Sequence, residues 1–252
     1  MLGKTYFPQG KARETAQRVL EVGNPMACNV GLGCSNDCGY CFGSRAFFKA
    51  NWTDVRRPKC NPLELVKSQN LKPEGVFLCF GTDPFLKVNR EATLGLLEYF
   101  RDRNIRTATL SKVDVPDIGG NRNGMTIVSL DKKFNRTWEP RAPVSVERVK
   151  KLEAKHRQGE YTWVSVEPFP PPAIWKQDLG ELLDAIGFVD FMIFGKWNYD
   201  RRASTKEARS FYRDKAVEFR EFCEARKIRY WIKGSEIHSL RGGASPRKFK
   251  RR

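Results

Sequence analysis

Three cysteines fall close together in Cys34-Ser-Asn-Asp-Cys38-Gly-Tyr-Cys41, a C-x3-C-x2-C spacing. Three thiolates on so short a loop can converge on one metal centre. A structural zinc site takes four protein ligands. An iron–sulfur cube held wholly by protein takes four cysteines. With three, one iron has no protein ligand and is open to chemistry. Cys28 stands before Cys34 and is the nearest candidate for a fourth zinc ligand. Spacing alone leaves both metals in play.

The elements around this loop must position it. Lys11–Val22 has helical spacing and ends at Gly23-Asn-Pro. Met26–Val30 reads as a short strand with the cysteine loop at its C-terminal end. Strand and helix signals then alternate. Helices are expected over Pro62–Asn70, Arg90–Arg103, Ser145–Arg157, Pro172–Gly187 and Thr205–Arg226. Ser145 is the expected N-cap of the third of these. Strands are expected over Gly75–Phe80, Arg106–Leu110, Met125–Leu130, Tyr161–Val166, Val189–Phe194 and Ile228–Ile232, with a Gly/Asn-rich turn at Gly119–Gly124. Strand–helix units of about thirty residues imply parallel strands joined by crossover helices. The fold class expected is α/β: an open, partial (β/α)6 TIM-type barrel with one extra strand. Residues 1–240 read as one domain, with helix 11–22 as an N-terminal extension and 241–252 as a flexible basic tail. Barrel enzymes gather their active-site groups on the loops that follow the strands.

Composition narrows the setting. The seven cysteines are odd in number and follow no secreted framework. No apolar signal core opens the chain, and its apolar runs are too short to span a bilayer. A soluble, cytoplasmic protein away from membranes is expected, since a reducing compartment keeps thiols free. Lys plus Arg number 46 against 29 Asp plus Glu, a formal charge of +17. Such an excess attracts polyanions and favours nucleic acid as partner. There is no G-x-S-x-G elbow, Walker loop or H-E-x-x-H. The two histidines, His156 and His238, lie in charged contexts unsuited to a histidine-based site.

The cysteine spacing, with an aromatic residue, Tyr40, before the last cysteine, resembles the signature of the radical S-adenosylmethionine (SAM) superfamily. The resemblance implies a [4Fe–4S] cluster on Cys34, Cys38 and Cys41, with SAM on the fourth iron. It also implies reductive cleavage to a 5′-deoxyadenosyl radical, an electron donor such as flavodoxin or ferredoxin, and the open barrel itself. Residues after the strands acquire roles on the same basis. Gly81, Thr82 and Asp83 would receive the SAM amino group, Lys112 its carboxylate, and Ser111 a ribose hydroxyl. Ser129, expected on the fourth strand, would meet the ribose. Glu139 would be a further ribose or substrate contact, and Tyr40 would pack on the adenine.

Thr-Asp-Pro, Ser-Lys, Ser and Glu-Pro in this order narrow the likeness to the spore photoproduct lyase-like branch, over Met26 to Gly234. That branch acts on thymine dimers in DNA. Its tyrosine after the third cysteine is Phe42 here, which has no O–H. Cys79, near the second-strand turn, is the candidate hydrogen donor, with a core thiol as the other reading. The reaction expected is therefore broader: repair, rearrangement or modification of a pyrimidine, of lyase or isomerase type.

Lys196, Trp197, Asn198, Tyr199, Arg201 and Arg202 follow the sixth strand. Aromatics interleaved with cations suit base stacking and phosphate neutralisation. The alternatives are a radical SAM enzyme for a peptide or small metabolite, and a zinc-containing nucleic-acid-binding protein that uses Cys28.

Overall fold

The computed structural model describes residues 2–44 and 52–234. The expected tail 241–252 lies outside them. One eight-stranded sheet runs in chain order. Its strands are β1 Thr5–Tyr6, β2 Met26–Cys28, β3 Gly75–Leu78, β4 Arg106–Ser111, β5 Asn121–Thr126, β6 Thr162–Phe169, β7 Phe191–Lys196 and β8 Arg229–Ile232. β1 pairs antiparallel with β2, and every later neighbour pair is parallel. β8 does not pair back onto β1, so the barrel is open. The helices are α1 Gly10–Leu20, α2 Pro62–Ser68, α3 Arg90–Arg101, α4 Lys132–Trp138, α5 Ser145–Arg157, α6 Leu179–Ile186 and α7 Lys206–Ala225. No described helix is long and apolar enough to cross a membrane.

Side-chain alternation divides each strand between two layers. On the outer face, Val76 and Leu78 of β3 pack with Leu96, Leu97 and Phe100 of α3. Val164, Val166, Met192 and Phe194 pack with Leu182, Leu183 and Phe219. On the inner face, Phe77, Ala108, Trp163, Phe191, Ile193 and Trp231 gather against Ala16, Val19 and Leu20 of α1. Each buried Val, Leu, Ile, Met or Phe among them contributes about 1.5–3 kcal/mol. α1 therefore plugs the end of the barrel where the strands begin.

Arginines fix that plug. Arg106 donates to the Leu20 carbonyl at 2.6 Å and Arg122 to the Val19 carbonyl at 2.5 Å. These are carbonyls that a helix C-terminus leaves unpaired. Glu21 ends α1 at φ 57 and pairs with Arg122 at 2.5 Å and with Arg229.

Four expectations change. The Gly/Asn-rich stretch is strand, not turn: β5 occupies Asn121–Thr126, earlier than Met125–Leu130. Its polar residues are buried because they bond across the sheet. Asn121 accepts from the Thr107 hydroxyl at 3.0 Å and donates to Thr109 at 2.9 Å. Second, the helix expected from Pro172 begins only at Leu179, where the Asp178 carboxylate caps the Glu181 N–H at 2.9 Å. Third, Val144 rather than Ser145 is the N-cap of α5. Fourth, β1 and α4 had no expected counterpart; a two-residue strand carries no periodicity.

Gly124 has no room for a side chain, since a Cβ there would lie 2.2 Å from the Trp163 ring. Gly124→Ala should lose about 1–3 kcal/mol through this overpacking, read as a lower urea midpoint. An unchanged midpoint would refute the packing.

Candidate functional site

The cysteine loop leaves the C-terminal end of β2 and is tied down along its length. The Gly33 N–H donates to the Gly81 carbonyl at 2.9 Å, and the Cys34 N–H to Trp52 at 2.8 Å. Gly33 has φ +104, and a Cβ there would stand 2.5 Å from the Asp54 carbonyl. Only glycine fits such a turn against backbone. Farther on, the Gly39 N–H donates to Trp138 at 2.9 Å and the Cys41 N–H to Cys38 at 3.0 Å.

Cys34 and Cys41 are half-buried and Cys38 is buried. The Cys38 thiol senses both of the others electrostatically. Burial is the main force that pushes Cys34 up to about 11 and Cys38 up to about 12. Thiolates in such a place need a positive centre beside them. Three soft donors on one pinned loop, with Lys112 the cation acting on Cys34 and Cys38, fit the cluster the spacing implies. Cys28 faces the outer layer with Val66 and Leu96, fully buried, so a zinc site gains no fourth ligand from it. Among the described residues, no three His, Cys, Asp or Glu are grouped to hold a single metal ion.

Asp83 lies behind the loop with its carboxylate fully engaged. Oδ2 accepts from Asn36 Nδ2 at 3.1 Å and the Lys112 N–H at 2.8 Å. Oδ1 accepts from the Phe85 N–H at 3.0 Å and the Ser111 hydroxyl at 2.8 Å. Burial raises its pKa, and these donors oppose the rise. Thr82 is also engaged: Asn89 Nδ2 donates to its hydroxyl oxygen and to the Asp83 carbonyl, each at 2.9 Å. The Gly81 N–H donates to Asn29 Oδ1 at 2.9 Å. The side chains expected to receive a ligand's amino group are thus committed to the protein.

Tyr40 and Glu139 form a second buried unit with a residue the sequence did not single out. The Tyr40 hydroxyl donates to Glu139, and Glu139 pairs with Arg148. Arg148 and Glu139 are both fully buried in their side chains. Arg148 also donates to the Thr126 carbonyl at 2.5 Å and the Ser145 hydroxyl at 2.8 Å. Asn135 donates to Glu139 at 3.0 Å. Glu139 is therefore a structural carboxylate rather than an open ribose contact. The Tyr40 ring lies 5.2 Å from the Trp197 ring, and Lys112 Nζ stands 5.2 Å from its centroid. At 7% exposure, Tyr40 offers no open face to an adenine. Burial works against the Lys112 charge, but Cys38 and Glu139 outweigh it, and its pKa is raised.

The remaining expected residues are scattered more widely. Ser129 is buried beyond the end of β5, where its hydroxyl accepts from the Asp131 N–H at 3.2 Å. It is not on the strand because the strand ends earlier. Cys79 sits in the outer layer with Cys28 and Met26, at φ 70. That left-handed residue breaks the alternation, so Phe80 turns inward and stacks on Phe77 at 4.3 Å. The Cys79 thiol, raised by burial, is packed as a core thiol.

In the cluster after β7, Trp197 is buried against Tyr40 and Trp138 and cannot stack on a base. Tyr199 is 55% exposed. Arg202 pairs with Asp200 at 2.7 Å, while Asn198 donates to the Lys196 carbonyl at 3.0 Å. Arg201 is exposed beside them in a single 3-10 turn, Arg201–Ala203. Asn36 was missed because its partner Asp83 lies 47 residues away. Asn89, Asn135 and Arg148 bond mostly to residues three to ten positions away, across turns between elements that apolar periodicity does not mark.

No family model matches the chain, and no curated protein matches it in sequence. Solved structures do. SuiB of Streptococcus suis bound to S-adenosylmethionine superposes with a TM-score of 0.60 at 12% identity, over 85% of this chain and 51% of SuiB. A mutant of spore photoproduct lyase gives 0.61 at 14% identity, over 90% of this chain and 78% of the lyase. A double mutant of that lyase, with bound AdoMet and dinucleoside spore photoproduct, gives 0.58 at 13%. The chain spans about half the length of the SuiB structures it matches, 51% in the first. It shares with these proteins an open α/β barrel.

Removing one partner of a buried ion pair leaves the other uncompensated. Arg148→Met should therefore cost about 3–5 kcal/mol of stability. The double variant Glu139→Gln/Arg148→Met should recover much of that loss in urea unfolding. Additive losses would refute the coupling.

Proposed function

We propose that this chain is a radical SAM enzyme that acts on a nucleic acid or nucleobase, with a pyrimidine in DNA favoured. The observation that carries the reading is the pinned loop of Cys34, Cys38 and Cys41 at the C-terminal end of β2, in an open barrel shared with SuiB and spore photoproduct lyase. When bound, a [4Fe–4S] cluster on three thiolates supplies reductive cleavage of SAM to a 5′-deoxyadenosyl radical that takes a hydrogen atom from substrate.

The protein's own residues hold and orient. Cys34, Cys38 and Cys41 are the cluster ligands. Lys112 offers a cation to the SAM carboxylate. Gly81 and Thr82 offer backbone to its amino group, and Ser129 lies in reach of the ribose in this reading. Asp83 and Ser111 act as positioning residues, because their side chains already join the cysteine loop to β4. The apolar barrel interior excludes water from the reacting hydrogen.

The formal charge of +17 supports a polyanionic substrate over a peptide or neutral metabolite. Lys196, Asn198, Tyr199, Arg201 and Arg202 supply a polar and cationic rim for it, with Trp197 as the buried anchor of that loop. A base must leave its stack to enter such a barrel. Flavodoxin or ferredoxin is the proposed electron donor, and a reducing cytoplasm the proposed setting.

Anaerobic reconstitution should give about four irons per chain and dithionite-dependent 5′-deoxyadenosine. Replacing all three cysteines by alanine should abolish both; retained iron in that variant would refute the assignment. Binding to a DNA oligonucleotide should fall steeply and log-linearly with salt. Absence of binding at low salt would favour the peptide or metabolite alternative.

A further inference from the structure

Glu167, late in β6, and Lys233, directly after β8, form an ion pair at 2.5 Å. Both belong to the end of the barrel that carries the cysteine loop. Two observations put the pair on the inner wall. A Cβ on Gly195 of β7 would lie 2.6 Å from Glu167 Oε1, so the missing side chain makes room for the carboxylate. Lys233 Nζ stands 5.2 Å from the centroid of Trp231, an inner-layer residue. The same inner layer is aromatic: it holds Trp163, Phe191 and Trp231, with Phe77 edge-on to Trp163 at 6.1 Å. The side chains of Glu167 and Lys233 keep 24% and 17% exposure. Among the described residues, Glu167 Oε1 accepts no hydrogen bond, and Lys233 Nζ donates only to Glu167 Oε2.

Such a pair is selective. It is neutral overall, so it favours neither an anion nor a cation. It presents an open acceptor beside open donors, in a part-buried place where each hydrogen bond counts. Its complement is a neutral group with N–H next to C=O on one edge. An ordinary trans peptide points its N–H and C=O in opposite directions. A ring forces the amide cis and puts both on the same edge. The aromatic side chains of that layer suit a flat ring.

We propose that Glu167 and Lys233 read the cyclic amide or imide edge of a nucleobase: Glu167 accepts the ring N–H and Lys233 donates to the adjacent carbonyl. This rests on the nucleobase reading above, and it assigns to that reading a specificity pair on the wall formed by β6 and β8.

The test is equilibrium binding of the dinucleotide thymidylyl-thymidine and its N3-methylated form to the reconstituted full-length protein, with 5′-deoxyadenosine measured alongside. Methylation deletes the donor and keeps the ring. It should weaken binding to the unaltered protein by about tenfold or more, the scale for leaving a buried polar group unpaired. Glu167→Ala should bind both probes alike, and Lys233→Met should weaken the unmethylated probe by a similar factor. Equal affinities for the two probes, or no measurable binding of either, would overturn the assignment, and neither result depends on a variant folding. Discrimination without 5′-deoxyadenosine would uphold the pair and refute the radical chemistry. 5′-Deoxyadenosine with equal affinities would do the reverse.

Discussion

A single buried carboxylate sets the geometry of the end of this barrel that carries the cysteine loop. Asp83 accepts from Asn36 in the cysteine loop, from Phe85 in its own loop, and from Ser111 and Lys112 at the end of β4. A buried charge is costly unless its lone pairs are filled, and here both oxygens are. Three segments far apart in sequence therefore meet at one group. The thiols can only be where that carboxylate lets Asn36 be. Asn89, through Thr82 and the Asp83 carbonyl, braces the same turn from behind.

The two ends of the barrel solve opposite problems. At one end, α1 fills the opening, and Arg106 and Arg122 satisfy its last carbonyls. At the other, the loops after the strands stay partly open, and Cys34, Cys41, Lys112, Glu167 and Lys233 all keep some exposure. The Tyr40–Glu139–Arg148 unit lies to one side of the cysteine loop. It fixes the residue before Cys41 without using up the thiols. Rigidity is thus placed around the reactive groups rather than on them.

The likeness to SuiB and spore photoproduct lyase, at 12% and 14% identity, is a likeness of fold. A fold of this kind serves many reactions, and function resides in the site. Phe42, where the spore photoproduct lyase-like branch has a tyrosine, and Cys79, packed in the outer layer, both argue against a simple transfer of dimer repair.

The local signals in the sequence determined a good deal. The thiol spacing, the alternation of strands and helices, the open barrel and the positions of β3, β4, β7 and α7 follow from spacing and apolar periodicity, which act over a few residues. Tertiary structure alone decided the rest. It made a strand of Asn121–Thr126, since those polar residues are stable only when Thr107, Thr109 and Glu160 arrive to bond them. It turned Asp83 and Glu139 from expected ligand contacts into internal joints, and buried Trp197, which was expected to stack on a base. It also brought Glu167 to Lys233 across 66 residues. Whether a polar side chain faces a ligand or a neighbour depends on which distant donor reaches it, and no short stretch of chain contains that information.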